Sequence, residues 1–275
     1  MEGFFYSSVE DVQSKYWKSF VNKGFLFNEN YFTTMLIHRG KIIFEDGHKL
    51  RLTKTMQFME VPHSKAEKVL EEIFSLCHSS LLNTMGSNDN LYVRINLYRS
   101  LDNSLEYFIW SEKKDPLHSE LVLRTHEFFP NKNYPSFIKK ADYDIQFKLR
   151  EKVKKLGADD VLFIDENNRV IDLATSNIVF MKGDHFFYSP IIPGVFDGIC
   201  LNQFIGLIRA LNYKVTCEEI QLKDISSFDG AIALNSFSIA RPIFKVNDSE
   251  YNLDISEEII EKFNKNIGLE WIERI

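Results

Sequence analysis

Residues 160–190, DVLFIDENNRVIDLATSNIVFMKGDHFFYSP, constrain the fold more than any other stretch. Short apolar runs rich in Val, Ile and Phe alternate there with turn-forming clusters, a pattern that a helix cannot accommodate and a β-hairpin requires. Within it, DLATSNIVF sets a carboxylate, Asp172, at the entrance of a small hydroxyl-bearing turn, before the chain re-enters an apolar strand. An acid so placed can bond its own turn, as short acidic side chains do, or it can wait for a cationic partner.

The rest of the chain mixes the two periods. YFTTMLIHRGKIIFEDG reads as two strands joined at HRGK, with Gly40 supplying the turn. HKLRLTKTMQFM and KAEKVLEEIFSLCHSSLL carry apolar residues at helical spacing, and NLYVRINLYRS and LEYFIWSEK are a second pair of strands. EKKDPLHSE is a polar, proline-bearing linker, so the expected domains are 1–116, a smaller N-terminal one, and 117–275. Beyond it come a strand, LVLRTHEFF, an awkward segment, PNKNYPSFIKKADY, and an amphipathic helix, DIQFKLREKVKKLG, closed by Gly157. After the hairpin, PGVFDGICLNQFIGLIRALNY is a glycine turn feeding a helix. YKVTCEEI and AIALNSF follow as strands around a helix-like KDISSFDG, and a terminal helix starts at about Ser256. The whole is an α+β chain.

Composition excludes several classes. With 44% apolar and 26% charged residues the chain is globular, and 33 basic against 39 acidic residues, net −6, disfavours a nucleic-acid-binding surface. The cysteines, Cys77, Cys200 and Cys217, are odd in number and lack CxxC spacing, which points to reduced thiols and to no zinc site. No run approaches the roughly 18 apolar residues of a membrane span. The acidic start, MEGFFYSSVEDVQ, is unlike a signal peptide, so a cytoplasmic location is expected.

Three local features can carry chemistry, each with a plain structural alternative. Gly198 in FDGIC precedes a helix whose free N–H groups suit a phosphate, although a glycine can simply begin a helix. Lys139 and Lys140 in SFIKKADY follow Phe137 and Ile138; a lysine in a partly apolar site can shed its charge and act as an amine nucleophile, whereas most lysine pairs are solvated. Arg51 in HKLRL is either an anion clamp or a surface arginine.

Taken in order, these pieces resemble the class IV aminotransferases, the pyridoxal-phosphate enzymes that include branched-chain and D-amino-acid aminotransferases and 4-amino-4-deoxychorismate lyase. NKGFLFNENYFTT is similar to the family's D-R-G-F-x-F-G-D-G-x-F-[ET]-T, HKLRL to H-x-x-R-L, and IKKAD to I-K-x-x-N. GADDVLFIDENNRVIDLATSNIVF is similar to G-x-x-[DE]-A-[IL]-x-[LI]-[DN]-x-x-G-x-[IV]-x-E-x-x-x-x-N-[ILV]-F; FDGIC and ALNSFSIARPI complete the series.

The resemblance implies a two-domain fold like that of D-amino-acid aminotransferase, with the active site between the domains, a homodimer, and pyridoxal 5'-phosphate as cofactor. Lys139, in the register Lys-x-x-Asp, is implied as the Schiff-base lysine, which assigns the lysine to the larger C-terminal domain. Asp172 stands where the family places a glutamate against the pyridine nitrogen. Arg51, Gly198, Ile199 and Cys200 would meet the phosphate, with Asn235 and Ser236 beside the cofactor, while Thr33, Arg94 and Arg99 would meet the substrate, Arg241 being a further candidate for its carboxylates. The chain departs from the family at Asp172, at Asn28-Glu29-Asn30 in place of G-D-G, and at Cys200-Leu201, where a hydroxyl and an arginine are usual.

Two short features are similar to the lyase: Thr33, where aminotransferases often carry glutamate, and LNSF at 234–237. The expected reaction is release of 4-aminobenzoate and pyruvate from 4-amino-4-deoxychorismate, in folate precursor synthesis. An aminotransferase acting on branched-chain or D-amino acids, and a homologue that binds the cofactor without catalysis, are the alternatives.

Overall fold

The computed structural model describes residues 4–7, 22–81, 89–128, 133–191 and 195–269. Pro130–Lys132 of the awkward segment, Pro193 and Gly194 of the glycine turn, most of the first 21 residues and the last six lie outside the described residues. The chain divides into two compact units, Met1–Asp115 with Phe137–Tyr143, and Pro116–Ser136 with Asp144–Ile275.

The first unit is built on an antiparallel sheet of five strands. These are β1 (Phe4–Ser7), β2 (Asn30–His38), β3 (Lys41–Ile42), β4 (Asn90–Arg99) and β5 (Leu105–Lys113), in the order β1-β5-β4-β2-β3. In β4, Leu91, Val93, Ile95 and Leu97 are buried while Tyr92 and Arg94 are half-buried, the period of two that a pleated strand imposes. A short helix, α1 (Lys23–Leu26), precedes β2, capped by the Asn22 side chain, which accepts from the N–H of Phe25 at 2.8 Å. Gly40, at φ 77, makes the turn from β2 to β3 that the sequence requires.

Two helices follow, α2 (Glu45–Phe58) and α3 (His63–Leu76). The buried stripe of α2 is His48, Arg51, Leu52, Thr55 and Met56, a helical face on which three of the five residues are polar. Polar groups are buried at a cost unless they are bonded or serve a site, so this stripe is the most informative surface of the unit.

The division of the chain differs from the sequence expectation of a single cut near 116. Residues 137–143 belong with the first unit because they lie along the open end of β2. Phe32 N–H donates to the Lys139 carbonyl at 2.8 Å, Ala141 N–H donates to the Asn30 carbonyl at 2.8 Å, and Tyr31 bridges Lys140 in antiparallel sense. Backbone bonding therefore assigns Lys139 to the first unit, and not to the larger C-terminal part.

The second unit carries a nine-stranded mixed sheet. Its strands are β6 (Leu121–Glu127), β7 (Asp160–Ile164), β8 (Val170–Leu173), β9 (Asn177–Lys182), β10 (His185–Tyr188), β11 (Lys214–Cys217), β12 (Gly230–Asn235), β13 (Ile239–Val246) and β14 (Ser249–Glu250). The order is β11-β10-β9-β12-β13-β6-β7-β8, with β14 on β13. Its helices are α4 (Asp144–Lys154), α5 (Ile199–Ala210) and α6 (Leu253–Asn266). Strands β7, β9 and β12 are buried along nearly their whole length, and Leu162, Phe180, Ala231 and Ile243 join one core beneath them.

Candidate active site

In the first unit, the polar stripe of α2 meets β2 and the 137–143 segment. His48 is fully buried, and its Nδ1 lies 2.7 Å from Oγ1 of Thr33, itself fully buried on β2. Arg51, one turn further along the same face, is 6% exposed. Successive residues of an extended segment point to opposite faces, so Lys139 and Lys140 diverge. Lys139 Nζ lies 4.9 Å from the ring centroid of Phe32 and 6.0 Å from that of Tyr143, and Arg94 Cζ lies 3.7 Å from the same Phe32 ring. Two cations thus share one aromatic ring. Arg94 also donates through Nε to Asn96 Oδ1 at 3.0 Å, and Asn96 donates to Asn30 Oδ1 at 2.7 Å.

Electrostatics follow from this crowding. Burial, then the charge of Arg51, then that of Arg94, push the Lys139 ammonium down to about 7. Near neutral pH a large share of the side chain is therefore free amine, the nucleophilic form. Burial, followed by Arg51 and Lys139, also drives His48 well below the ordinary histidine range, so it is neutral.

The second unit holds an acid in a comparable setting. Asp172 is half-buried on β8, between buried Ile171 and Leu173. The turn after it is closed by Leu173 N–H donating to the Ser176 carbonyl at 2.8 Å. The carboxylate bonds instead to Asn177, whose Nδ2 stands 3.0 Å from each of its oxygens and also donates to the Phe196 carbonyl at 2.8 Å. Burial pushes Asp172 up to about 8, opposed by bonds from the Asn177 amide and the backbone N–H groups of Phe196 and Ile178.

Helix α5 starts at Ile199 from Gly198, which has extended backbone (φ −74, ψ 129) and makes no side-chain cap bond. A helix start of this kind leaves N–H groups of its first turn, those of Ile199 and Cys200 among them, without partners inside the helix. The Cys200 thiol donates to the Ile239 carbonyl at 3.1 Å and is raised by burial, so it is inert as a nucleophile. Asn235 accepts from the N–H groups of Phe237 and Ser238 at 2.9 and 2.7 Å and donates to Ser176 Oγ at 3.0 Å. It closes the turn that carries half-buried Ser236 and leads to Ile239, held at φ 62.

Three sequence expectations change. Thr33 has no exposed surface with which to meet a substrate, and its hydroxyl braces His48. Arg99 directs its guanidinium to the carbonyls of Asn103 and Met59, on the wall of a cavity of about 500 Å³ that Glu29 and Glu60 also line, a charge balance unsuited to a carboxylate. Arg241 donates to the carbonyl and Oγ of Ser119 at 2.9 and 3.0 Å, fastening β13 to the segment before β6. His48, Phe32 and Asn177 are the residues that sequence reasoning misses. His48 stands inside the H-x-x-R-L motif and Asn177 closes the acid-x-x-x-x-Asn motif, so a signal for both is present. Among the described residues no group of three or more His, Cys, Asp or Glu could hold a metal, and no helix is long and apolar enough to cross a membrane.

The sequence is similar to a Rickettsia bellii protein named a probable branched-chain-amino-acid aminotransferase, 28% identical over 127 residues that cover 43% of this chain and 44% of the relative. The match thus spans less than half of that relative's length. The fold is similar to the branched-chain aminotransferase of the thermophilic archaeon Thermoproteus uzoniensis, solved with norvaline, with TM-score 0.79, 14% identity and coverage of 96% and 94% of the two chains. It is also similar to a Legionella pneumophila protein provisionally named a 4-amino-4-deoxychorismate lyase, with TM-score 0.76, 16% identity and coverage of 90% and 94%. The profile of the class IV amino-transferase family matches residues 30–246, and the chain therefore belongs to that family of pyridoxal-phosphate enzymes.

Proposed function

We propose that this chain is a pyridoxal-phosphate enzyme acting at the α-carbon of a small amino substrate that bears carboxylates, with Lys139 as the amine that holds the cofactor. The observation that carries the reading is the Lys139 side chain, brought to about 7 by burial beside Arg51 and Arg94. The groups of each unit suit the cofactor: an amine and a guanidinium in the first, an uncapped helix start and a half-buried acid in the second. His48 adds a buried Nε2 that has no hydrogen-bond partner.

When bound, pyridoxal phosphate supplies an electron sink for a bond broken at the substrate's α-carbon. By family resemblance Arg51 would meet the cofactor's phosphate through its fixed fork of donors, and the N–H groups of Ile199 and Cys200, after Gly198, would supply neutral donors. Asn235 and Ser236 shape the neighbouring turn. Asp172 would face the pyridine nitrogen and keep that nitrogen protonated. Lys139 would also be the base that takes a proton from the substrate's α-carbon, its lowered basicity matching that task near neutral pH. Arg94 is the cation best suited to a substrate carboxylate.

For the reaction we favour the lyase: 4-amino-4-deoxychorismate is split to 4-aminobenzoate and pyruvate. The LNSF turn at 234–237 supports it, and so does likeness to the Legionella protein. An aminotransferase is the second reading, favoured by the names of the Rickettsia relatives. A homodimer in the cytoplasm is part of the proposal by family analogy. The deciding experiment incubates the loaded protein with 4-amino-4-deoxychorismate, and separately with branched-chain and D-amino acids plus a 2-oxo acid. Release of 4-aminobenzoate supports the lyase. Amino-group transfer without such release replaces it by the second reading, and neither product refutes both.

A further inference from the structure

We infer that Asn177 is a positioning residue that ties the Asp172 carboxylate to the backbone leading into α5 through a single side-chain amide. Asn177 opens β9 and is 5% exposed, with its backbone in register opposite Leu234 in the middle of the sheet. Its Nδ2 serves three acceptors: both oxygens of Asp172, equidistant at 3.0 Å, and the carbonyl of Phe196 at 2.8 Å. An amide nitrogen has two hydrogens, so one is shared between the carboxylate oxygens and the other fixes the residue two before the helix cap.

The oxygen end is fixed by contact. A Cβ built on Gly198 would stand 1.8 Å from Asn177 Oδ1, a separation that no non-bonded pair of atoms tolerates, whereas the backbone of Gly198 (φ −74, ψ 129) is open to any residue. Glycine is therefore required at 198 by the Asn177 amide and not by its own dihedral angles. The groups that act on Asp172 are this amide and the backbone N–H groups of Phe196 and Ile178, with no charged side chain among them. Asn177 is thus the only side chain in that set, and the same amide reaches the helix start. A donor to a carboxylate favours its charged form, so the amide orients the acid and holds its proton affinity below what burial alone would impose. The functional weight of this arrangement rests on the reading of Asp172 as the partner of the cofactor's ring nitrogen.

The test titrates the full-length protein, with and without added pyridoxal phosphate, by carbon-13 NMR of the aspartate carboxyls, the Asp172 signal being assigned by its loss in Asp172→Asn. Asn177→Ala is expected to move the Asp172 midpoint up by about one pH unit, the equivalent of one lost charge-assisted bond. Gly198→Ala should move it in the same direction by displacing the amide. In the Asn177→Ala background, Gly198→Ala should add nothing, because the clashing oxygen is gone. Asn177→Ser, which keeps a short donor, covers the case in which Asn177→Ala fails to fold, and should shift the midpoint upward by less. An unmoved midpoint, or additive effects of the 177 and 198 substitutions, overturns the proposal. A midpoint that shifts in Asn177→Ala but is the same with and without pyridoxal phosphate, in the wild type as in the variants, upholds the positioning by Asn177 and instead refutes the cofactor role of Asp172.

Discussion

Lys139 in the first unit and Asp172 in the second make an instructive pair, because burial acts on both and with opposite sign. Burial disfavours charge, so it strips the proton from an ammonium and leaves one on a carboxyl. At Lys139 the neighbours reinforce burial, since Arg51 and Arg94 are like charges. At Asp172 they resist it, since Asn177 and two backbone N–H groups favour the anion. Both groups consequently titrate near neutrality, at about 7 and about 8, from ordinary values of 10.5 and 3.8. Proton affinities matched to neutral pH are what acid–base chemistry requires, and here they arise by two different balances.

The largest expected effect breaks the first half of the pair. Lys139→Ala should abolish covalent retention of pyridoxal phosphate and reduce turnover to background, while Lys140→Ala retains both. Borohydride reduction followed by peptide mapping decides it, and a label on Lys140 would mean that the register is off by one. Next in size, Asp172→Asn should leave the fold and cofactor attachment in place and lower turnover on the order of 10²-fold or more, as loss of a preorganised electrostatic partner does. Wild-type turnover in that variant would reduce Asp172 to a structural acid.

A smaller loss is expected at Arg51. Removing one charge-assisted contact to phosphate, worth about 1.5–3 kcal/mol, should weaken pyridoxal-phosphate affinity about tenfold or more in Arg51→Ala, measured by equilibrium dialysis. The smallest effects sharpen the comparison through pH. For Asp172 the folded value of about 8 exceeds the ordinary 3.8, so between these limits the folded chain holds a proton that the unfolded chain lacks, and this contribution falls as pH rises. For Lys139 the folded value of about 7 lies below 10.5, so between these limits the unfolded chain holds the extra proton, and this contribution rises with pH. Urea unfolding of cofactor-free protein at pH 5, 7 and 9 should therefore show Asp172→Asn flattening the acid-to-neutral slope and Lys139→Met flattening the alkaline one. Slopes identical to wild type would show that neither group is shifted.

How much of this is legible in the sequence depends on whether the deciding contact is local. Alternation in β4 and β5, the Gly40 turn and the Gly157 helix end are readable because each is determined within a few residues. The helix α6 begins at Leu253 and not near Ser256 because Asn252 caps it, accepting from Asp254 N–H at 3.0 Å, a cap that the apolar period does not mark. Strand β13 escapes such a reading because Pro242 and the left-handed Ile239 both argue against a central strand; Pro242 instead pairs opposite Ile232. At the site, the lysine, arginine and acid are found through their motifs. The role of Thr33 is not, since its partner His48 lies fifteen positions away on another element. Nor is the destination of Lys139, which depends on where β2 leaves its edge open.

That open edge has a consequence for synthesis. Strand β3 covers β2 only at Ile37 and His38, and residues 139–141 supply the backbone partners at Asn30 and Phe32. A ribosome delivers those residues only after the whole of β2, β4 and β5. Until then the nascent first unit carries unpaired N–H and carbonyl groups beside an apolar strand, a template for misplaced pairing. A chain truncated before Pro135 would keep that edge exposed permanently and should self-associate, so the segment that brings the amine also acts as the stopper that keeps the early part of the chain from sticking to its neighbours.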